Sequence, residues 1–317
     1  MPSARRIDVH LHIIPQFYQD AVRSAGLGPA RRAGYPAYSV EGALDVMDAN
    51  EIELAITSVA QPGVGFAEPA AARELARRLN DYAADLAARH PQRFGGFATV
   101  PMRDIADAVA ETEHALDALK LHGVSLFASY GEKFLGDPQF DPVLDALNRR
   151  KAVVFIHPTL HPSSRTIALP WPAFVMEYLF DTTRAAVNLL LGGALERFPD
   201  IKFILPHAGG TLPYFAWRLA STPVIDPTTP QWPREKFAAG LRRFWYDVAL
   251  SSGGTTMGAL RTVADPDKIV FGSDWPFVPP QLVAEALKQH TAPGLHTEAA
   301  RAAIDRGNAL RLFAGRA

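Results

Sequence analysis

The chain contains no cysteine. That excludes disulfides, zinc–thiolate centres and thiol nucleophiles in one step. It also lacks an excess of either charge: 32 basic residues face 33 acidic ones, for a formal net charge of −1. No broad basic field is available to hold nucleic acid or an anionic membrane surface. No apolar run reaches the roughly 18 residues that cross a bilayer. The opening residues, MPSARRIDVH, lack the apolar segment of a signal peptide. These absences lead to the expectation of a cytoplasmic protein with neither nucleic-acid nor membrane partners. Internal repeats and low-complexity segments are missing too.

What is present is ordinary bulk: 317 residues, 48% hydrophobic and 21% charged, enough for one large α/β domain or two small ones. Strand-like runs occur at Arg6–Leu11, Leu54–Val59, Phe94–Val100, Gly123–Phe127, Ala152–Ile156, Ile201–Leu205, Phe244–Val248 and Lys268–Phe271. Between them lie stretches such as Ala70–His90 and Ile105–Lys120, whose apolar residues recur every three or four positions, as a helix with one buried face requires. Asp104 and Asp137–Pro138 stand where helix starts are expected. Eight strands, each followed by helix, match the rhythm of a (β/α)8 TIM barrel, expected here as a single domain over residues 1–317. The rival is a doubly wound open sheet, which ordinarily carries a glycine-rich phosphate loop after its first strand. That position here reads HLHIIP. The proline-rich patch Ser221–Pro233 reads as a surface excursion before strand seven.

The first strand ends in two histidines, His10 and His12. Alternate residues of a strand share a face, so both imidazoles can reach one ion. Such a pair alone is a weak signal. Three further strand ends strengthen it: AVVFIHP ends in His157, KFILPHAGG has His207 just beyond its last strand residue, and KIVFGSDWP carries Asp274. In a barrel, the C-terminal ends of the strands converge on one face, where sites are built. Four of the ten histidines thus lie at positions that form a small part of the chain. Histidines merely packed in a core would scatter, so a metal site is expected. His90, His114, His122, His290 and His296 fall in helices or connections and are expected to face water, while His161 could line the mouth or lie on the surface.

The segments IDVHLH, FIHPT, LPHAGGTLPYFAWRL, FGSDWPF and GNALRLF, in this order and spacing, resemble the amidohydrolase-related metalloenzymes of the aminocarboxymuconate-semialdehyde decarboxylase family. The likeness runs from residue 6 to about residue 313. It implies a (β/α)8 barrel with one divalent metal ion at the strand ends, expected to be zinc with manganese as the alternative. His10, His12, His157 and Asp274 would be the ligands, and His207 the unligated catalytic histidine. Relatives that hold two metals commonly bridge them with Lys or Glu at the end of strand four. GVSLFASYG offers neither, which favours one ion.

Such a centre can activate water, giving a hydrolase that opens a lactone or amide, or it can polarise an anionic substrate, giving a non-oxidative decarboxylase. The ligands alone do not choose. The stretches Ser129–Thr159 and EYLFDTTRAAVNLLLGGALERFPDIKF are most similar to the branch acting on salicylate-type acids, of the 6-methylsalicylate decarboxylase type, which favours decarboxylation of a small aromatic carboxylic acid. In an ortho-hydroxy acid, protonating the ring carbon that bears the carboxylate lets CO2 leave, with Asp274 or His207 supplying the proton. Phe127, Tyr130, Trp171, Trp275 and Phe277 could form a flat slot for the ring, or serve as loop anchors on the rim. Arg218, eleven residues after His207, stands where the semialdehyde decarboxylases place an arginine that crosses a dimer interface to the partner's substrate carboxylate, so a homodimer is expected. Arg31 or Arg32 would match a second arginine of those enzymes. A barrel that has lost its chemistry is disfavoured by the complete donor set. A glycosidase is disfavoured because no carboxylate pair stands at the strand ends.

Overall fold

Short runs of β-branched and aromatic residues, each closed off by a helix with one apolar stripe, fold as the pattern requires. The structure is a computed structural model, and it describes residues 5–28, 34–166 and 170–315, with the side chain of Arg165 excepted. Eight strands form its frame: β1 (Arg6–His12), β2 (Ile52–Ser58), β3 (Phe94–Thr99), β4 (Gly123–Phe127), β5 (Val153–His157), β6 (Lys202–Leu205), β7 (Trp245–Asp247) and β8 (Ile269–Val270). All pair in parallel and in chain order. The ring closes between β8 and β1, where the Val9 N–H donates to Phe271 O at 3.0 Å and the His12 N–H to Trp275 O at 2.7 Å. The result is the (β/α)8 barrel expected from the sequence rather than an open sheet.

Helices pack around this ring. The Pro69–Arg89 helix buries Ala72, Ala76, Leu79, Ala83 and Leu86, the three-and-four spacing read from the sequence. Each buried leucine contributes about 1.5–3 kcal/mol. Asp104 caps the Ile105–Asp117 helix by accepting from the Asp107 N–H, and Asp137 accepts from the Gln139 N–H. The proline-rich patch differs from expectation in its first half. The Leu212–Ile225 helix runs into it and carries Pro223 internally, so the irregular excursion begins only at Asp226.

There are two apolar cores. One lies between strands and helices. The other fills the barrel, with Ile7, Val9, Phe97, Phe155, Ile204 and Val270, and is closed at the strand N-termini by Ala309, Leu312 and Phe313. The opposite end of the barrel carries the histidines.

Candidate metal centre

β1 does more than alternate. Between Asp8 and Leu11 its pairing with β2 slips, three residues of β1 advancing against two of β2, from Asp8–Ala55 to Leu11–Thr57. Such a bulge lets two consecutive residues share a face. Val9 joins Ile7 in the inner core, and His10 also turns inward, its ring 4.7 Å from that of Phe155. Strict alternation from Ile7 and Val9 would have turned both His10 and His12 outward. The slip brings them in.

His10, His12, His157, His207 and Asp274 then gather at the C-terminal mouth of the barrel. The Nε2 atoms of His10 and His12 are 3.1 Å apart, and Asp274 Oδ1 lies 3.1 Å from His12 Nε2 and 3.4 Å from His10 Nε2. Ring centroids of His12 and His157 are 5.0 Å apart, and those of His10 and His207 are 5.2 Å apart. Two groups of donor atoms, His10–His12–His157 and His10–His207–Asp274, each fall within 4.8 Å of one another. All four histidines are buried.

Each imidazole is fixed through Nδ1. His10 Nδ1 donates to Asp247 Oδ2 at 2.8 Å, His157 Nδ1 to Pro158 O at 2.6 Å, and His207 Nδ1 to Ala249 O at 3.0 Å, while His12 Nδ1 lies 3.1 Å from Ser58 Oγ. With Nδ1 occupied, Nε2 is the free lone pair. Partners of this kind are what orient metal-ligating histidines. Two Nε2 atoms at 3.1 Å need a proton or a metal ion between them, and a divalent ion can take the place of the proton, so the donor set fits such an ion. Nitrogen and carboxylate donors without thiolate suit zinc and also manganese.

The electrostatics agree. Burial opposes a charge on His10, but Asp247 and Asp274 outweigh it and raise its pKa to about 10. Burial lowers His12, and burial together with the neighbouring His12 and His10 holds His157 well below its usual value. Burial also works against ionised Asp274, yet the charge of His10 and hydrogen bonds from His10 and His12 keep it well below the carboxylate range. Asp274 and His207 both have left-handed backbones, φ 61° and 52°. His and Asp tolerate that region better than most residues, and the unusual backbone aims both side chains inward.

Asp247 was missed by the sequence reading. It sits at the end of β7, fully buried, its Oδ1 accepting from the backbone N–H groups of His207 and Ala249 while Oδ2 holds His10. The signal was available: FWYDVAL sets a lone acid inside an apolar run, at the C-terminal end of its strand, as His12 and His157 stand in theirs.

Above the cluster opens a cavity of about 600 Å³, with His157, His207 and Asp274 on its floor. Phe277 reaches it, 5.3 Å from the His12 ring, as does Tyr178, 6.2 Å from the His157 ring, with its hydroxyl donating to Gln61 Oε1 at 2.9 Å. Neither Phe127, Tyr130 nor Trp275 lines it. Tyr130 spends its hydroxyl accepting the Phe127 N–H and packs on Phe140; Trp275 is 4% exposed and packs on Tyr38. Phe127 lies against His157, 5.8 Å between rings. These three hold the rim loops. Trp171 is half exposed, and Arg218 is exposed on the Leu212–Ile225 helix without an ion-pair partner among the described residues. Arg31 and Arg32 lie outside the described residues.

Two histidine expectations need correction. His290 does not face water: it is 0% exposed, with Nε2 2.9 Å from Asp305 Oδ1, because the π-helical segment Ala303–Gly307 brings a carboxylate to the helix end. His161 is also buried, stacked 4.6 Å from Phe134 and away from the cavity lining. A larger groove, about 1010 Å³, lies at the other end of the barrel beside Lys202, Trp245 and Gly315; it contains no histidine. No helix among the described residues is long and apolar enough to cross a membrane.

Comparison with known proteins gives a consistent picture. The family model described as amidohydrolase matches residues 7–315. The 6-methylsalicylic acid decarboxylase of Penicillium expansum is 38% identical, over 97% of this chain and 96% of its own. Among solved structures, the 5-carboxyvanillate decarboxylase of Sphingomonas paucimobilis superposes with a TM-score of 0.87 at 25% identity, covering 98% of this chain and 99% of that one. The dihydroxybenzoic acid decarboxylase of Polaromonas sp. JS666, solved with bound manganese and the inhibitor 2-nitroresorcinol, gives 0.77 at 25% identity, covering 97% and 96%.

Proposed function

The chain belongs to the amidohydrolase family, and from that premise we propose that it is a metal-dependent, non-oxidative decarboxylase of a small salicylate-type acid. The observation that carries the reading is the meeting of four Nδ1-anchored imidazoles and one ionised carboxylate under a cavity of about 600 Å³. Full-length similarity to decarboxylases of aromatic acids supports carboxy-lyase chemistry over hydrolysis. His10, His12, His157 and Asp274 would hold one divalent ion, zinc by the sequence reading, with manganese supported by the Polaromonas structure. That ion would polarise the carboxylate and phenolic oxygens of the substrate.

The remaining work belongs to side chains. Decarboxylation breaks the bond from ring carbon to carboxylate, and a proton takes the place of CO2 on that carbon. His207, tied at Nδ1 to Ala249 O, presents Nε2 as a proton carrier. Asp274, held ionised, can donate only after taking a proton, and the phenol of the substrate is the natural source. Phe277 and Tyr178 flank the ring, in place of Phe127, Tyr130 and Trp275, which stabilise the rim. Arg218, exposed on the Leu212–Ile225 helix, would serve a second subunit of a homodimer. The chain would fold as a single domain over residues 1–317 and work in the cytoplasm.

The test is incubation of metal-loaded protein with a panel of hydroxybenzoates, following bicarbonate and product mass together. Release of bicarbonate with loss of CO2 from the substrate mass is expected. A mass gain of one water, from a lactone or amide panel instead, would identify a hydrolase.

A further inference from the structure

The floor of the cavity is polar; its wall is mostly apolar, with Gln61, Ser251 and Thr256 as polar exceptions. Phe174, Val175, Leu179, Leu250, Val278 and Leu282 line it from the metal ligands to the surface. Three of them are unusually bare for residues of a cavity: Val175 is 52% exposed, Leu250 51% and Leu282 43%. They come from three separate segments: the first turn of the Phe174–Leu191 helix, the loop after β7, and the first turn of the Pro280–His290 helix. Together they make one apolar strip rising from the site to solvent.

Leu250 is the most telling. Its backbone is left-handed, φ 51°, a region where Asn or Gly is at ease and a bulky side chain is not. A leucine kept there needs a reason in its side chain. Half exposed, that side chain is not repaid by packing within the protein. Strain of this kind collects beside sites where something binds.

We infer that the substrate is a salicylate whose ring carries an alkyl side chain of several carbons, lying along the Leu250–Val175–Leu282 strip while the acid end rests on the floor. This rests on the decarboxylase reading for the head of the molecule, and adds the class of its tail. The cavity of about 600 Å³ is also generous for an unsubstituted ring. No lysine or arginine among the described residues lines it, so a charged tail has no partner there.

The probes are 6-methyl-, 6-propyl- and 6-pentylsalicylate, with the matching 3-alkylphenols, their decarboxylation products, as unreactive ligands. Turnover of the acids gives kcat/KM; calorimetry gives Kd of the phenols for the metal-loaded and metal-free protein. Each buried methylene is expected to improve both by about two- to fourfold, the upper figure corresponding to full burial. Leu250→Asn and Leu282→Gln should flatten that dependence, and Leu250→Asn should melt no lower than the native chain, since Asn suits its backbone. Equal affinity for methyl and pentyl probes overturns the inference, including the case in which the strip is covered by another protein chain. If the phenols show the chain-length gain and no salicylate loses CO2, the decarboxylase reading fails while the apolar tail stands. If salicylates are decarboxylated with no gain along the series, only the tail fails.

Discussion

At the scale of single residues, the site is defined by which nitrogen of each histidine is already engaged. Nδ1 of His10, His12, His157 and His207 each has an outward partner, so metal affinity depends on protons at Nε2 and on Asp274. In the metal-free protein His10 holds a proton up to about pH 10, through Asp247 and Asp274 overcoming burial, whereas His12 and His157 are lowered by burial and Asp274 stays ionised. Near neutrality an incoming cation therefore displaces one proton. The sign follows: affinity rises with pH, by about tenfold per unit between pH 7 and 9. Chelator-competition titrations at several pH values measure it, and a flat profile would mean His10 is neutral. The roles separate by substitution. His207→Ala should cut kcat by at least about 100-fold with metal content retained; Asp274→Asn should cut both. Loss of metal in His207→Ala, read by elemental analysis, would make His207 a ligand, which its place within 4.8 Å of His10 and Asp274 donor atoms allows. Asp247→Asn leaves no carboxylate on His10 Nδ1 and should weaken metal binding by about 10- to 100-fold.

At the scale of elements, the decisive junction is β8 against β1. Gly272 follows β8, and a Cβ there would stand 2.8 Å from the Cβ of His10. The room for His10 is made by a missing side chain. Gly272→Ala should push β1, cost about 1–3 kcal/mol of stability, and lower metal affinity beyond that of any distant change. Gly258, inside the Gly254–Val263 helix with nothing within 4 Å of its virtual Cβ, is the control. Gly258→Ala should raise stability by about 0.5–1 kcal/mol and leave metal binding alone. Thermal melts and metal titrations of the two variants check both signs. The eight strands were legible because each is a short β-rich run between amphipathic helices, and a ring of parallel strands sends all their ends to one face. That geometry found His10, His12, His157, His207 and Asp274 without knowing any distance. The β1 slip was not legible, since periodicity reports a face only while pairing stays regular. Nor was the fate of Tyr130 and Trp275: an aromatic residue near a strand end packs on a ring-shaped substrate or on the rim by the same chemistry. Asp247 could have been read and His290 could not, because its partner Asp305 arrives on a π-helical segment that carries no sequence pattern of its own.

At the scale of the whole molecule, chemistry and support occupy opposite ends of one barrel. The inner core stacks Phe97 on Phe155, 5.6 Å between centroids and 9° between planes, and Phe155 in turn meets His10 at 4.7 Å. Below it Phe313, 5% exposed, closes the barrel against Phe97 and His122, with centroids 6.0 Å and 5.7 Å away. The last described helix thus plugs the floor of the column on which the metal ligands rest. Phe313→Ala would open a cavity at that floor, and large-to-small changes of a buried phenylalanine cost about 3–5 kcal/mol. The layers between are aromatic and tightly stacked, so the loss should appear as stability rather than as misplacement of His10. The expected outcome is a melting temperature lower by several degrees with metal stoichiometry and kcat near those of the native chain at low temperature. A variant that melts normally would show that the terminal helix is not part of the folded column. One that melts low and also fails to hold metal when fully folded would show that Phe97 and Phe155 transmit the disturbance upward, making the plug a support of the site and not of the fold alone.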